Sequence, residues 1–156
     1  MEAKSASGSA AGTRRTGSDL EATDGPAFVQ RGVLVVSLVL LAWSVAGMIA
    51  NPDFTTGAGA TSVRVLGVDM NGWHALSGFL LFGPGLVAAR SRDLAVLFSY
   101  AAIGALVVTG VWALLDSRPA GLFPFDHAHA DAILHFGSAT AYAVVLGIDR
   151  WGSHRA

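Results

Sequence analysis

The sequence predicts an all-α membrane protein with four transmembrane helices in an up-down bundle, and three observations point there. Of its 156 residues, 53% are hydrophobic and only 13% charged, with a mean hydropathy of +0.53, a balance too apolar for an ordinary soluble domain. Four stretches, about 28–50, 72–89, 94–115 and 131–148, are apolar and nearly free of charge, close to the roughly 20 helical residues that a hydrocarbon core requires. The basic residues are also lopsided. Lys4, Arg14, Arg15, Arg31, Arg90, Arg92, Arg150 and Arg155 fall on one side of such an arrangement, and only Arg64 and Arg118 on the other. Eight against two places both termini in the cytoplasm, because short basic segments stay inside.

Residues 1–27 hold Ser, Gly, Ala, Thr and charges, too few apolar groups to offset the entropy of ordering, and are expected to form a disordered cytoplasmic tail. Gly32 to Ala50 then runs nineteen residues without a charge and stops at Asn51-Pro52, where the residue before proline leaves the helical region. A cleavable leader is the competing reading of this run, but its lead-in is long and its apolar core exceeds the usual length. Pro52 to Met70 reads as a loop with a short half-buried piece at Val63, Val65 and Leu66. Asn71 is a natural cap for the second helix, in which Gly83-Pro84-Gly85 predicts a kink. Arg90 to Asp93 makes a tight turn into the third helix. Ser117 to Ala130 is a second loop, punctuated by Pro119, Gly121 and Pro124. The fourth helix is expected from Asp131 to Ile148, with 149–156 a short cytoplasmic tail. Trp73 and Trp151 sit at helix ends, where amphipathic rings anchor at the interface.

The stretch Asp126 to Gly147 concentrates the chemistry. Asp131, His135, Ser138 and Tyr142 are spaced by four, three and four residues, which lines them along one helical face. Alternation brings the end of helix one and the start of helix two to the same membrane side as this face. Asn51, Asn71, His74, Asp131, His135, Ser138 and Tyr142 are therefore expected to form a polar cluster near the outer surface. An ionisable group in the bilayer centre is unfavourable by about 2.5–3.5 kcal/mol, so Asp131 should point into the bundle near the interface. Helix one carries its own narrow small-and-polar face, Ser37, Ser44, Gly47 and Asn51. Small residues at Ser77, Gly78, Ser138 and Ala139 should let the helices bearing His74 and His135 approach closely.

The bland role for these histidines is hydrogen bonding between helices. Two sharper readings stand beside it. His127, His129, Asp131 and His135 could supply N and O ligands to zinc or copper, the first two rings turned to one side by an extended backbone. His74 and His135 could instead hold a non-covalent haem b between facing helices. A proton relay through Asp131, His135 and Tyr142 lacks a visible continuation, since helix four continues Ala143, Val144, Val145, Leu146. Cysteine is absent, which removes disulfides and thiolate chemistry. A net charge of −1 argues against a nucleic-acid partner. Nine arginines against one lysine, with abundant Ala and Gly, suggest a GC-rich bacterial genome.

Asn71-Gly72-Trp73-His74 followed by Ser77-Gly78, with Asp131-x-x-Leu134-His135 opening the last helix, resembles a family of small four-helix membrane proteins common in actinobacteria, known only as domain of unknown function 4383. The likeness covers about Gly32 to Gly147 and implies that Asn71, His74, Asp131, Leu134 and His135 occupy the family's pattern positions. It departs at Ala132, where a polar residue is expected after the aspartate. No activity comes with it. The expected protein is a non-enzymatic structural or accessory component of the bacterial inner membrane, binding the lipid bilayer and associating with itself or a larger complex through small residues such as Ala101, Gly104 and Ala105. The alternative is a metal- or haem-binding protein with a redox or sensing role.

Overall fold

The computed structural model describes residues 27–124 and 126–153. Four helices carry the fold: α1 (Phe28–Ala50), α2 (Gly72–Ala88), α3 (Arg92–Leu115) and α4 (Ala128–Ser153). α1, α3 and α4 are long and apolar enough to cross a membrane, and α2 is a shorter apolar helix. At 17 residues α2 rises about 26 Å, slightly less than a hydrocarbon core. The proposed tail over residues 1–27 lies outside the described residues except for Ala27, as do Lys4, Arg14, Arg15 and Arg155.

The most extensive contacts pair α3 with α4 and α1 with α2, and α1 against α4 joins the two pairs. The small-and-polar face of α1 is the seam of the first pair. Ser37, Ser44 and Gly47 are all buried, and a Cβ on Gly85 or Gly78 would land on the hydroxyls of Ser37 or Ser44 respectively. Both sets are spaced by seven residues, so two antiparallel helices mesh small against small and their backbones approach closely. Gly78 therefore opens the way for α1, whereas the sequence alone suggested an approach between the helices bearing His74 and His135. The main apolar core gathers Val29, Val33, Ala102, Leu106 and Tyr142.

Three boundaries differ from expectation. The loop between α1 and α2 contains a hairpin, β1 (Val63–Val65) and β2 (Val68–Met70), with Arg64 opposite Asp69. Its two-residue turn places Leu66 and Gly67 at φ of 50° and 93°, the left-handed pair that matches strand twist. Leucine is a poor advertisement for that turn. α4 starts three residues early, at Ala128. It also continues to Ser153, so Asp149 is not in a loose tail. That carboxylate is buried, accepts from Val29 N at the start of α1 (3.2 Å) and pairs with Arg92 Nη2 at the start of α3 (2.7 Å). Pro84 lies inside α2.

Candidate functional site

Both long loops meet over the end of the bundle where α1 and α3 finish and α2 and α4 begin. Asn71 caps α2, accepting from His74 N at 2.9 Å, and its amide also donates to Leu122 O in the second loop at 2.8 Å. Asn51, at the end of α1, donates to Met70 O and Thr61 O, each at 3.3 Å. These two asparagines are clamps on loop backbone. Below them, the hydroxyls of Thr55 and Thr61 both donate to Asp53 at 2.6 Å. Led by the Thr55 bond, they hold its carboxyl well under the usual value of 3.8, at about 2.

Asp69 is the residue through which the hairpin reaches both helices. His74 Nδ1 donates to its carbonyl at 2.7 Å, since a carbonyl can only accept. Its buried carboxylate accepts from His127 N at 2.6 Å and from His127 Nδ1 at 3.2 Å, which puts a negative charge at the N-terminus of α4 where the helix dipole favours one. Nε2 of His127 is then an acceptor, and Arg64 donates to it. Neither Asp69 nor Arg64 stood out in the sequence. Only the hairpin register, which sets Arg64 against Asp69, brings them to the same side chain.

One turn deeper, His74 and His135 lie ring against ring, with centroids 5.9 Å apart and planes at 21°. Phe123 from the second loop meets His74 edge-on. Thr109 of α3 donates its hydroxyl proton to the carbonyls of Ala105 and Leu106 (3.0 and 3.1 Å), so its oxygen accepts from His135 Nδ1 at 3.3 Å. By these partners both imidazoles carry their proton on Nδ1. Asp131 is 0% exposed, and its Oδ1 is 3.9 Å from His74 Nδ1, too long for a hydrogen bond. Among the described residues, both of its buried carboxylate oxygens have no hydrogen-bond partner. That is an unfavourable arrangement which calls for an explanation.

The remaining members of the expected cluster lie deeper. Ser138 is buried beneath the rings, and Tyr142 Oη bonds Ser37 Oγ at 2.9 Å. Tyr142 is seven residues beyond His135, about 10 Å along the helix. Six of the seven thus divide into two clamps, a ring pair beside an acid, and a tyrosine in a separate inner hydrogen bond, while Ser138 lines the cavity beneath the rings. His127, His129, Asp131 and His135 are not drawn together. His127 is held by Asp69 and Arg64, and His129, two residues on and already helical, projects to another face and is exposed. The extended backbone that would have turned both rings one way is absent because α4 begins at Ala128. Among the described residues no three His, Cys, Asp or Glu side chains are arranged to hold a metal ion.

Two cavities adjoin the ring pair. The larger, about 260 Å³, runs into the bundle between His74, His135, Ser44, Phe82 and Leu106. A smaller one of about 90 Å³ lies toward Trp112, Pro119 and Phe123. His74, Ser77, Thr109 and His135 line both. Trp43 of α1 lines the larger one, and its buried indole Nε1 has no partner among the described residues.

No curated protein and no solved structure is similar to the chain at a significant level. The family described as domain of unknown function DUF4383 matches residues 30–148, a span that takes in α2, α3, the hairpin, all but the first two residues of α1, all but the last five of α4 and every residue of the ring-and-acid cluster. The chain belongs to that family.

Proposed function

We propose that this is a non-enzymatic integral protein of the bacterial plasma membrane, structural or accessory in role, with its two loops outward and both termini in the cytoplasm. The observation that carries the reading is the distribution of side chains over the bundle. Large exposed residues along the helices are apolar, among them Val35, Val39, Leu80, Leu97, Val108 and Val144, a surface suited to lipid and not to water. Arg31, Arg90, Arg92 and Arg150 lie at the end opposite the hairpin, and Arg64 and Arg118 at the hairpin end, which supports the orientation. The polar groups act as joints: Asp69, His74, His127 and Asn71 tie two loops to two helices. Thr109 and His135 form a hydroxyl–imidazole pair, but the hydroxyl proton is given to backbone carbonyls, so the pair is not poised as nucleophile and base.

Membrane fractionation followed by alkaline carbonate extraction tests the reading, with the chain expected to stay in the pellet. Reporters fused after Ser91 and between Gly121 and Pro124 should read cytoplasmic and external respectively. Release by carbonate, or an external Ser91, would overturn it. A Soret band or stoichiometric zinc or copper in the purified protein, lost in His74→Ala or His135→Ala, would favour the cofactor-binding alternative.

A further inference from the structure

We infer that the cavity beneath the imidazole pair binds a membrane-dissolved amphiphile with a neutral hydroxyl head, a long-chain alcohol or phenol, admitted sideways between α1 and α4. This rests on the membrane reading above and adds a ligand to it.

Four observations lead there. First, the cavity of about 260 Å³ is walled mainly by apolar side chains such as Leu40, Met70, Leu81, Phe82, Leu106 and Leu134, and its volume approaches that of small-ligand pockets, which start at about 300 Å³. Second, among the described residues no carboxylate, ammonium or guanidinium lines it, so a charged head would be desolvated without compensation. Third, its walls include one unmet donor and one unmet acceptor. Trp43 Nε1 is a buried N–H with no partner among the described residues. His135, with its Nδ1 proton given to Thr109, keeps a lone pair on Nε2 that takes no hydrogen bond among the described residues. A hydroxyl is the complement of both, with a lone pair for the indole and a proton for the imidazole, and both residues line the same cavity. An amine head would carry charge, and a ketone or ester could serve only the indole.

The fourth observation is the route. A groove of about 430 Å³ runs between α1 and α4, lined by Val35, Val36, Val39, Ile133, Gly137 and Ala141. It shares Leu40, Leu134 and Ser138 with the interior cavity. Val39 and Ile133 on its rim are 62% and 71% exposed, so the groove opens on what would be the lipid side. An alkyl chain can lie in the groove while its head reaches the rings.

The test uses the full chain in nanodiscs of phosphatidylcholine and phosphatidylglycerol, titrated with a brominated sixteen-carbon alcohol or with the matching brominated alkane. The readout is the share of tryptophan emission that Trp43→Phe removes. Saturable quenching by the alcohol, at a mole fraction about tenfold lower than the alkane requires, is expected, since tenfold corresponds to one net hydrogen bond. His135→Phe should bring the two probes within about twofold, and Ser138→Leu, which blocks the junction of groove and cavity, should abolish saturation for both. Equal quenching by alcohol and alkane in the unsubstituted protein overturns the inference and leaves the cavity to water, as does a preference that survives His135→Phe. Failure of the chain to enter nanodiscs would sink the membrane reading itself, whereas insertion without alcohol preference sinks only the ligand.

Discussion

Asp131 is the residue whose surroundings are least satisfied. A carboxyl group with no exposure and no hydrogen-bond partner among the described residues contributes desolvation without a compensating bond, and His74 at 3.9 Å is too far away to supply one. An apolar side chain of similar volume should therefore fit at least as well. Asp131→Leu is expected to raise stability by about 1–2 kcal/mol, measured as thermal unfolding in mild detergent. A loss of that size would mean the acid has a partner in the folded protein. The sequence placed Asp131, His135, Ser138 and Tyr142 on one face, and all but His135 are fully buried, His135 partly. It could not divide them by role, because what each touches depends on residues far away in the chain: Ser37 for Tyr142, Thr109 for His135.

At the level of elements, close helix contact depends on two glycines. Gly78 and Gly85 of α2 stand where any Cβ would strike Ser44 and Ser37. Gly104 of α3, by contrast, is exposed with nothing near the position of a Cβ. Gly78→Leu should then cost about 2–3 kcal/mol or more through overpacking, while Gly104→Leu should be neutral or slightly stabilising through helix propensity. Thermal melts of the two variants under identical detergent conditions decide this, and equal melts would show that α1 and α2 do not depend on the small-residue seam. The spacing by seven of Ser37 and Ser44 was read from the sequence, whereas that of Gly78 and Gly85 was not. Which helix faces which was not, since one-dimensional periodicity gives a face without naming its partner.

For the whole molecule, the hairpin is the joint between two helices that enter from opposite halves of the chain. Asp69 holds His74 of α2 through its carbonyl and His127 at the start of α4 through its carboxylate. Asp69→Ala should leave the amide and ring N–H of His127 without a buried acceptor. The expected effect is about 2–3 kcal/mol of stability and faster proteolysis in residues 53–67 with the bundle intact. Unchanged cleavage there would show that the hairpin is held by Met70 and the asparagine clamps alone.

Four apolar runs, the Asn71 cap and the charge bias came from the sequence, because burial in lipid selects residue types over lengths that a single strand of text displays. The family pattern was legible for the same reason, as short local spacings. Tertiary structure alone decided the hairpin register and the early start of α4 that separates His127 from His129, and it brought Asp69 to His127 and His74 to Asp131 and His135. Those last three meetings depend on which atoms come within a few ångströms across more than fifty residues of chain, and geometry at that range is a property of packed helices and not of any segment.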